Sequence, residues 1–187
     1  MRVLVDMDGV LTDFESGFLD RWRELYADRI FIPIEQRTTF YIADQYPQEW
    51  KESVYDIFEA PGFYRSLRPI PGGVEALRAM QATGIEVFVC SSPLTEYKNC
   101  VLEKYEWIDE HLGKDWTKNL ILAKDKTVIK ADFLIDDRPQ VKGAEEHPSW
   151  QHILYDAPYN RGVIGKKRLD WENWRAVLPN GLPSIRQ

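Results

Sequence analysis

Asp6 and Asp8 stand two residues apart at the end of the apolar run 2–6 (RVLVD), in the order Asp6-Met7-Asp8-Gly9-Val10-Leu11. Alternate residues of an extended chain share a side, so the two carboxylates converge. Two such charges about 4 Å apart repel by about 1 kcal/mol in water and by several times that in a dry site. A fold carries that cost if a cation lies between them or if one carboxyl keeps its proton. Gly9 lets the chain turn sharply and presents backbone N–H groups to an anion. A second acidic pair, Asp136-Asp137, ends the apolar segment FLI. Ser91-Ser92 ends a third run, IEVFVC, and Lys104 lies on the helical segment that follows it. Carboxylates with water and a carbonyl oxygen make a magnesium site rather than a zinc site.

Taken singly, each piece has a plainer reading. Acidic strand ends are often only solvated, Ser91-Ser92-Pro93 is a turn, and a lone helical lysine faces water. Their order changes the picture. Two carboxylates, a hydroxyl, a lysine and a second acidic pair each follow a successive strand or helix, where a phosphoryl site needs them.

The elements that position these residues can be read from periodicity. The runs 2–6, 85–90 and 133–135 are apolar without alternation, as in parallel strands buried on both faces. Leu120–Leu122 and Ile153–Tyr155 are shorter candidates. Val74, Leu77 and Met80 predict a helix that begins after Pro71-Gly72 and ends at Gly84, a residue suited to a left-handed cap. Val101, Tyr105, Ile108 and Leu112 predict a second helix over about 95–112. Strands alternating with helices give an α/β class, a doubly wound parallel sheet with a Rossmann-like core. Between the first strand and Pro69 that rhythm stops. Phe14, Phe18, Trp22 and Leu25 form one amphipathic face there, and Trp50, Val54, Ile57 and Phe58 another. We therefore expect a helical cap over residues 15–68, inserted into a core of residues 1–14 and 69–187. It would sit at the C-terminal edge of the sheet, where ligands bind in such folds. A last helix capped by Asp170, with Trp171 and Trp174 packed back on the body, and a frayed tail from Pro179 complete the expectation.

Composition narrows the partners. Trp, Tyr and Phe number 7, 9 and 8, enough to fill a core and still line a pocket for a flat ligand. A net charge of -6 excludes non-specific binding of a nucleic-acid polymer, which needs a basic face, but leaves room for one small phosphate monoester. Cys90 and Cys100 are too few for a disulfide-stapled secreted domain, and Cys90 ends a buried run. The three histidines fall in no zinc spacing. No stretch approaches the roughly 20 apolar residues of a membrane span and no signal peptide is visible, so a cytoplasmic protein is expected. The aromatic surplus permits a homodimer without demanding one.

With these residues in hand, the sequence resembles the haloacid dehalogenase (HAD) phosphatase superfamily, whose four motifs are DMDGV, a Ser or Thr after the second strand, a helical Lys and a terminal DD. The stretches DMDGVLTDFE, EAPGFY, PIPGGVEAL, CSSP, EKYEWI, KDKTV, LIDDRP and HPSWQHIL resemble more narrowly the 5'(3')-deoxyribonucleotidases of cytosolic and mitochondrial type, over about residues 2–178. That resemblance implies a magnesium-dependent phosphatase in which Asp6 attacks phosphorus and Asp8 is the general acid and base. It implies magnesium held by Asp6, the Asp8 main-chain carbonyl and Asp136, with Asp137 orienting ligands or waters. Ser92 or Ser91, Lys104 and the backbone of the loop through Met7 and Asp8 would bind the phosphoryl oxygens. Phe14, Phe40, Tyr41 and Ile42 would contact the base, with Phe63 or Tyr64 as a further wall. Arg138 would sense a phosphate or neutralise Asp137. The implied substrates are pyrimidine nucleoside monophosphates, deoxyuridylate and thymidylate first. Ser91 stands where relatives usually carry Thr, and Tyr41 where they often carry Trp, changes that bear on base preference and not on the reaction. Two other readings are weighed against this one: a HAD phosphatase for another small ester such as a sugar phosphate, and a non-catalytic module phosphorylated on Asp. The first predicts a polar pocket, and the second lacks the DxD acid and the lid.

Overall fold

The computed structural model describes residues 1–178, so the tail expected to fray from Pro179 lies outside the described residues. Six parallel strands form one sheet: β1 (Arg2–Val5), β2 (Glu86–Ser91), β3 (Leu120–Leu122), β4 (Phe133–Asp136), β5 (Gln151–Tyr155) and β6 (Arg168–Leu169). Their spatial order is β3-β2-β1-β4-β5-β6. The chain runs outward from β1 through β2 to β3, then returns to lay β4 on the other side of β1. The crevice beyond β1 and β4 is thus the switch point where such sheets bind ligands. Register fixes what meets there. Val5 pairs with Ile135 and with Val89, and the Asp6 N–H donates to the Ile135 carbonyl at 2.8 Å. Asp6 must therefore emerge beside Asp136, one strand away from Ser91.

One sheet face carries Val3, Val5, Val87, Val89, Ile135 and Ile153 into the main core. That core is shared with α3 (Gly73–Ala82), α4 (Tyr97–His111) and α5 (Trp174–Val177) through Leu77, Met80, Trp107, Ile108 and Trp174. The other face buries Leu4, Cys90 and Leu134 under Trp150, Ile129 and Val141, which come from irregular chain. Burial pushes the Cys90 thiol up to about 12, consistent with an inert core residue. Trp171 and Trp174 pack back as expected, and the Trp171 indole donates to the Val10 carbonyl at 2.7 Å. Asp170 caps a turn, accepting from Glu172 and Asn173, while Asn173 stands at the N-cap of α5 itself.

The segment between β1 and α3 is helical, with α1 (Phe14–Leu25), α2 (Lys51–Glu59) and short 3-10 turns. Its two stems are tied together. Asp13 N–H donates to the Arg68 carbonyl at 2.8 Å, and Ile70 N–H to the Leu11 carbonyl at 2.7 Å. Asp13 also caps α1 by accepting from the Ser16 N–H. Phe18, Trp22, Val54, Ile57 and Phe58 are buried in a second, largely aromatic cluster. Leu25 does not join them. It is 59% exposed, at the last residue of α1.

The face of α4 also departs from expectation. Its buried stripe is Cys100, Glu103, Lys104, Trp107 and Ile108, with Tyr105 at the surface. Glu103 is buried because it accepts from the Gly62 and Arg65 N–H groups at 2.6 and 3.3 Å, fastening α4 to the end of the insertion. Lys104 is buried for a different reason.

Candidate active site

Four strand ends and two lysines meet beyond β1 and β4. Lys104 is fully buried, and its ammonium lies 2.5 Å from Asp8 Oδ2 and 4.5 Å from the centre of the Tyr64 ring. Lys126 is 4% exposed and lies between two carboxylates, 2.8 Å from Asp6 Oδ1 and 2.7 Å from Asp136 Oδ2. Asp6, Asp136 and Asp137 each bring one oxygen to a common point, all within 4.8 Å of one another. The carboxylates of residues 6 and 136 thus converge.

The electrostatics follow from crowding and burial. Burial raises the Asp8 pKa, and Lys104 opposes the rise without cancelling it. Burial likewise raises Asp6, with Lys126 pulling it down and Asp136 adding to the rise. Asp137 is pushed well up by burial and by its neighbours Asp136 and Asp6. Burial alone would lower Lys126, but Asp136 and Asp6 outweigh it and hold the ammonium firmly charged. Such a cluster stores repulsion that a bound cation relieves.

The hydrogen bonds show which oxygens are left for that cation. Asp136 Oδ1 accepts from the Arg138 N–H at 2.9 Å while Oδ2 takes Lys126. On Asp6, both the Met7 N–H at 2.7 Å and Lys126 approach Oδ1. On Asp137, Oδ2 accepts from the Tyr159 hydroxyl, whereas Oδ1 is buried with no partner among the described residues. A buried orphan carboxylate oxygen beside another carboxylate is what a hard divalent cation needs. Asp6, Asp136 and Asp137 thus form an acidic site that suits a hard divalent cation, and Asp137 Oδ1 is its unengaged oxygen. Gly9 makes this arrangement possible. Its φ is +76°, and a side chain there would strike Asp137 Oδ2 and the Tyr159 hydroxyl.

Two cavities open from this centre and share Asp8, Phe40, Ser92 and Arg138. The charged one, about 90 Å³, is lined by Asp6, Asp136, Lys124, Lys126 and Lys142. The aromatic one, about 230 Å³, is lined by Phe14, Tyr41, Ile42, Tyr64, Leu94 and Tyr159 among others. Its walls come from both the insertion and the sheet.

The chain from 1 to 179 matches the family model described as 5' nucleotidase, deoxy (pyrimidine), cytosolic type C protein. The chain belongs to this family. Relatives within it include a provisionally named 5'(3')-deoxyribonucleotidase of Bordetella pertussis, 50% identical over 97% of this chain and 97% of that one. The human cytosolic-type 5'(3')-deoxyribonucleotidase is 44% identical over 95% of this chain and 93% of its own length. Among solved structures, a HAD-family hydrolase of Deinococcus radiodurans superposes with a TM-score of 0.58 at 15% identity, covering 94% of this chain and 93% of that one, a likeness of fold.

Within this family frame the expected residues fall into three groups. Asp6, Asp8, Asp136, Asp137, Ser92 and Lys104 come together. Of the two serines, Ser92 lines both cavities, while Ser91 is sealed in β2 with its hydroxyl unpartnered among the described residues. Phe14, Phe40, Tyr41, Ile42, Tyr64 and Arg138 line the cavities. The Arg138 guanidinium is turned to the insertion, 4.8 Å from the Phe40 ring centre, and forms no ion pair with Asp137 among the described residues. Phe63 stands one layer back, edge-on to Phe14 at 5.3 Å. Met7 turns its side chain into the core and its N–H to Asp6.

Sequence reasoning missed Lys126, Tyr159 and Glu15. Lys126 lies in the KDKTV stretch, on a loop without periodicity, and only the pairing of two lysines about an aspartate hinted at it. Tyr159 and Asn160 follow a proline in PYN. Asn160 holds the Asp137 and Tyr155 carbonyls, both at 2.8 Å.

Proposed function

We propose that this nucleotidase is a magnesium-dependent phosphatase for pyrimidine deoxynucleoside monophosphates, deoxyuridylate and thymidylate foremost, working through an aspartyl-phosphate on Asp6. One observation carries the reading. A buried cluster of four carboxylates and two lysines adjoins an aromatic cavity, with Asp8, Phe40, Ser92 and Arg138 at the seam. The charged side suits a phosphoryl group and the aromatic side a base.

Asp6 Oδ2 attacks phosphorus as the ester P–O bond breaks. Asp8, whose pKa burial raises against the pull of Lys104, gives a proton to the departing nucleoside oxygen. Asp8 then takes a proton from water, which attacks the aspartyl-phosphate, releasing inorganic phosphate and freeing Asp6. Ser92, Lys104 and Lys126 hold the phosphoryl oxygens, and Lys104 moves between Asp8 and the phosphoryl group. Asp6, the Asp8 carbonyl and Asp137 would hold magnesium, with Asp136 fixing Lys126 beside them. Magnesium, when bound, neutralises charge on the phosphoryl oxygens. The inserted residues 15–68 act as a cap that closes Phe40, Tyr41 and Ile42 on the base, with Phe14 at its stem. We place the reaction in the cytoplasm, a reading supported by two free cysteines and by the cytosolic relative.

A panel of monophosphates with and without magnesium tests this. Turnover of deoxyuridylate and thymidylate far above hexose phosphates is expected. Hydrolysis of sugar phosphates alone would remove the substrate assignment. Asp6→Asn should abolish turnover, by about 10⁴-fold or more, with the thermal midpoint unchanged or higher. Substantial residual activity in that variant would refute the acceptor.

A further inference from the structure

Arg37 is 3% exposed in the middle of the insertion and lines neither cavity. A buried guanidinium costs several kcal/mol in lost hydration, and replacing a buried ion pair by apolar residues is often neutral or stabilising. Stability alone therefore does not account for it. Its donors are distributed in a specific way. Nε donates to Glu15 Oε2 at 2.8 Å and Nη2 to Glu15 Oε1 at 3.3 Å. Nη1 donates to Gln45 Oε1 at 2.6 Å, and Nη2 also reaches the Phe40 carbonyl at 3.4 Å.

Gln45 completes the arrangement. Its Oε1 accepts from the Thr38 and Thr39 N–H groups at 2.7 and 3.2 Å, and its Nε2 donates to the Gln36 carbonyl at 3.3 Å. Residues 37–41 lie between 3-10 turns at Ile34–Gln36 and Ile42–Gln45, with no helix or strand of their own. Two side chains do the work that a backbone ladder does elsewhere. The segment they shape carries Phe40 and Tyr41 and leads into Ile42, and all three line the aromatic cavity. Glu15 also lines the cavity and follows Phe14 in the first turn of α1. One ion pair thus ties the first turn of α1, with Phe14, to the segment that carries Phe40, and both rings line the cavity.

We propose that Arg37 and Gln45 are positioning residues for nucleoside recognition, holding the 38–42 wall at the spacing from Phe14 that a flat base requires. This rests on the nucleotidase reading above. Neither side chain takes part in phosphoryl transfer, which belongs to the charged cavity.

The test compares a nucleotide with a substrate that has no nucleoside. Kinetics of Gln45→Ala and Arg37→Met are measured on deoxyuridylate and on para-nitrophenyl phosphate, with magnesium saturating. Arg37→Met leaves Glu15 uncompensated and strains the fold, so Gln45→Ala, at a half-buried position, is the milder companion. Both variants should lose about tenfold or more in kcat/KM for deoxyuridylate, through KM, while kcat on para-nitrophenyl phosphate stays within about twofold. Arg37→Lys, which keeps the charge and loses the planar fork, should behave like Arg37→Met. Equal losses on both substrates, or no loss on either, would overturn the proposal. If the wild-type enzyme ignores deoxynucleotides, the functional reading fails. If its preference for them survives in the variants, only this inference does.

Discussion

The charged and aromatic cavities adjoin but are built by opposite means. Asp6, Ser92, Asp136 and Asp137 project from the ends of adjacent parallel strands, and their spacing is set by sheet register. The aromatic walls at Phe40 and Tyr41 hang from irregular chain between short 3-10 turns, shaped by side-chain hydrogen bonds. Register is costly to change, since a slip moves every side chain to the other face. A loop wound on side chains changes with a single substitution. The charged centre is thus locked by backbone pairing, while the aromatic cavity rests on parts that tolerate revision.

The sharpest way to break the locked half is to remove its internal cation. Lys126→Met leaves Asp6 and Asp136 buried with their shared partner gone. Removing one member of a buried pair costs about 3–5 kcal/mol. Turnover should fall by several orders of magnitude on deoxyuridylate and para-nitrophenyl phosphate alike. Magnesium should restore part of the lost thermal stability, because a divalent ion compensates the same carboxylates. A variant that loses nucleotide activity but keeps para-nitrophenyl phosphate turnover would contradict the division between the cavities.

Tyr159 sharpens the comparison because it touches both halves. Its hydroxyl donates to Asp137, its ring meets Phe40 at 6.0 Å, and the Arg37 guanidinium lies 5.7 Å from the ring centre. Tyr159→Phe keeps the wall and removes the donor. Partners that orient a metal ligand are typically worth 10–100-fold in metal affinity, and a loss near the lower end is expected here. Magnesium titration followed by calorimetry or thermal shift, without nucleotide, reads it directly. The KM for deoxyuridylate at saturating magnesium should stay near wild type. An unchanged magnesium affinity would show that Asp137 needs no help from the tyrosine.

What the sequence disclosed follows the same line. Five strands, with the acidic pairs and the serine turn at their ends, were legible because buried parallel strands are continuous apolar runs that end in turn residues, and the helical insertion showed as a break in that rhythm. The two-residue β6 has no such run and was not seen. On α4 the apolar pattern Val101, Tyr105, Ile108, Leu112 was half right: Ile108 and Leu112 are in the core, but Tyr105 is exposed, and Glu103 and Lys104 take buried positions that periodicity assigns to apolar residues. Those two violations mark the places where α4 serves the cap stem and the site. Lys126 was illegible because an ammonium between two carboxylates depends on tertiary contacts across strands. The base walls were named from resemblance, but the Arg37 and Gln45 scaffold behind them leaves no local signature.

The smallest effect concerns the support beneath the charged half. His152 on β5 lies 3.2 Å through Nε2 from the Asp136 carbonyl, and its Nδ1 is 2.7 Å from the Lys166 ammonium. A neutral imidazole with its proton on Nε2 donates to the carbonyl and accepts from the lysine. Burial, with Lys166 adding to it, lowers the histidine from 6.5 to about 4. Between these values the unfolded chain binds more protons than the folded one, so stability falls as pH drops through that window. At pH 5.5 the loss relative to neutral pH should be about 1 kcal/mol from this group. His152→Gln, which can still donate to the carbonyl and accept from Lys166, should flatten the slope of the thermal midpoint between pH 4 and 6.5. Equal slopes in the two proteins would place the acid sensitivity elsewhere, in the carboxylates above, and would make the strand ends themselves the weaker part of the locked half.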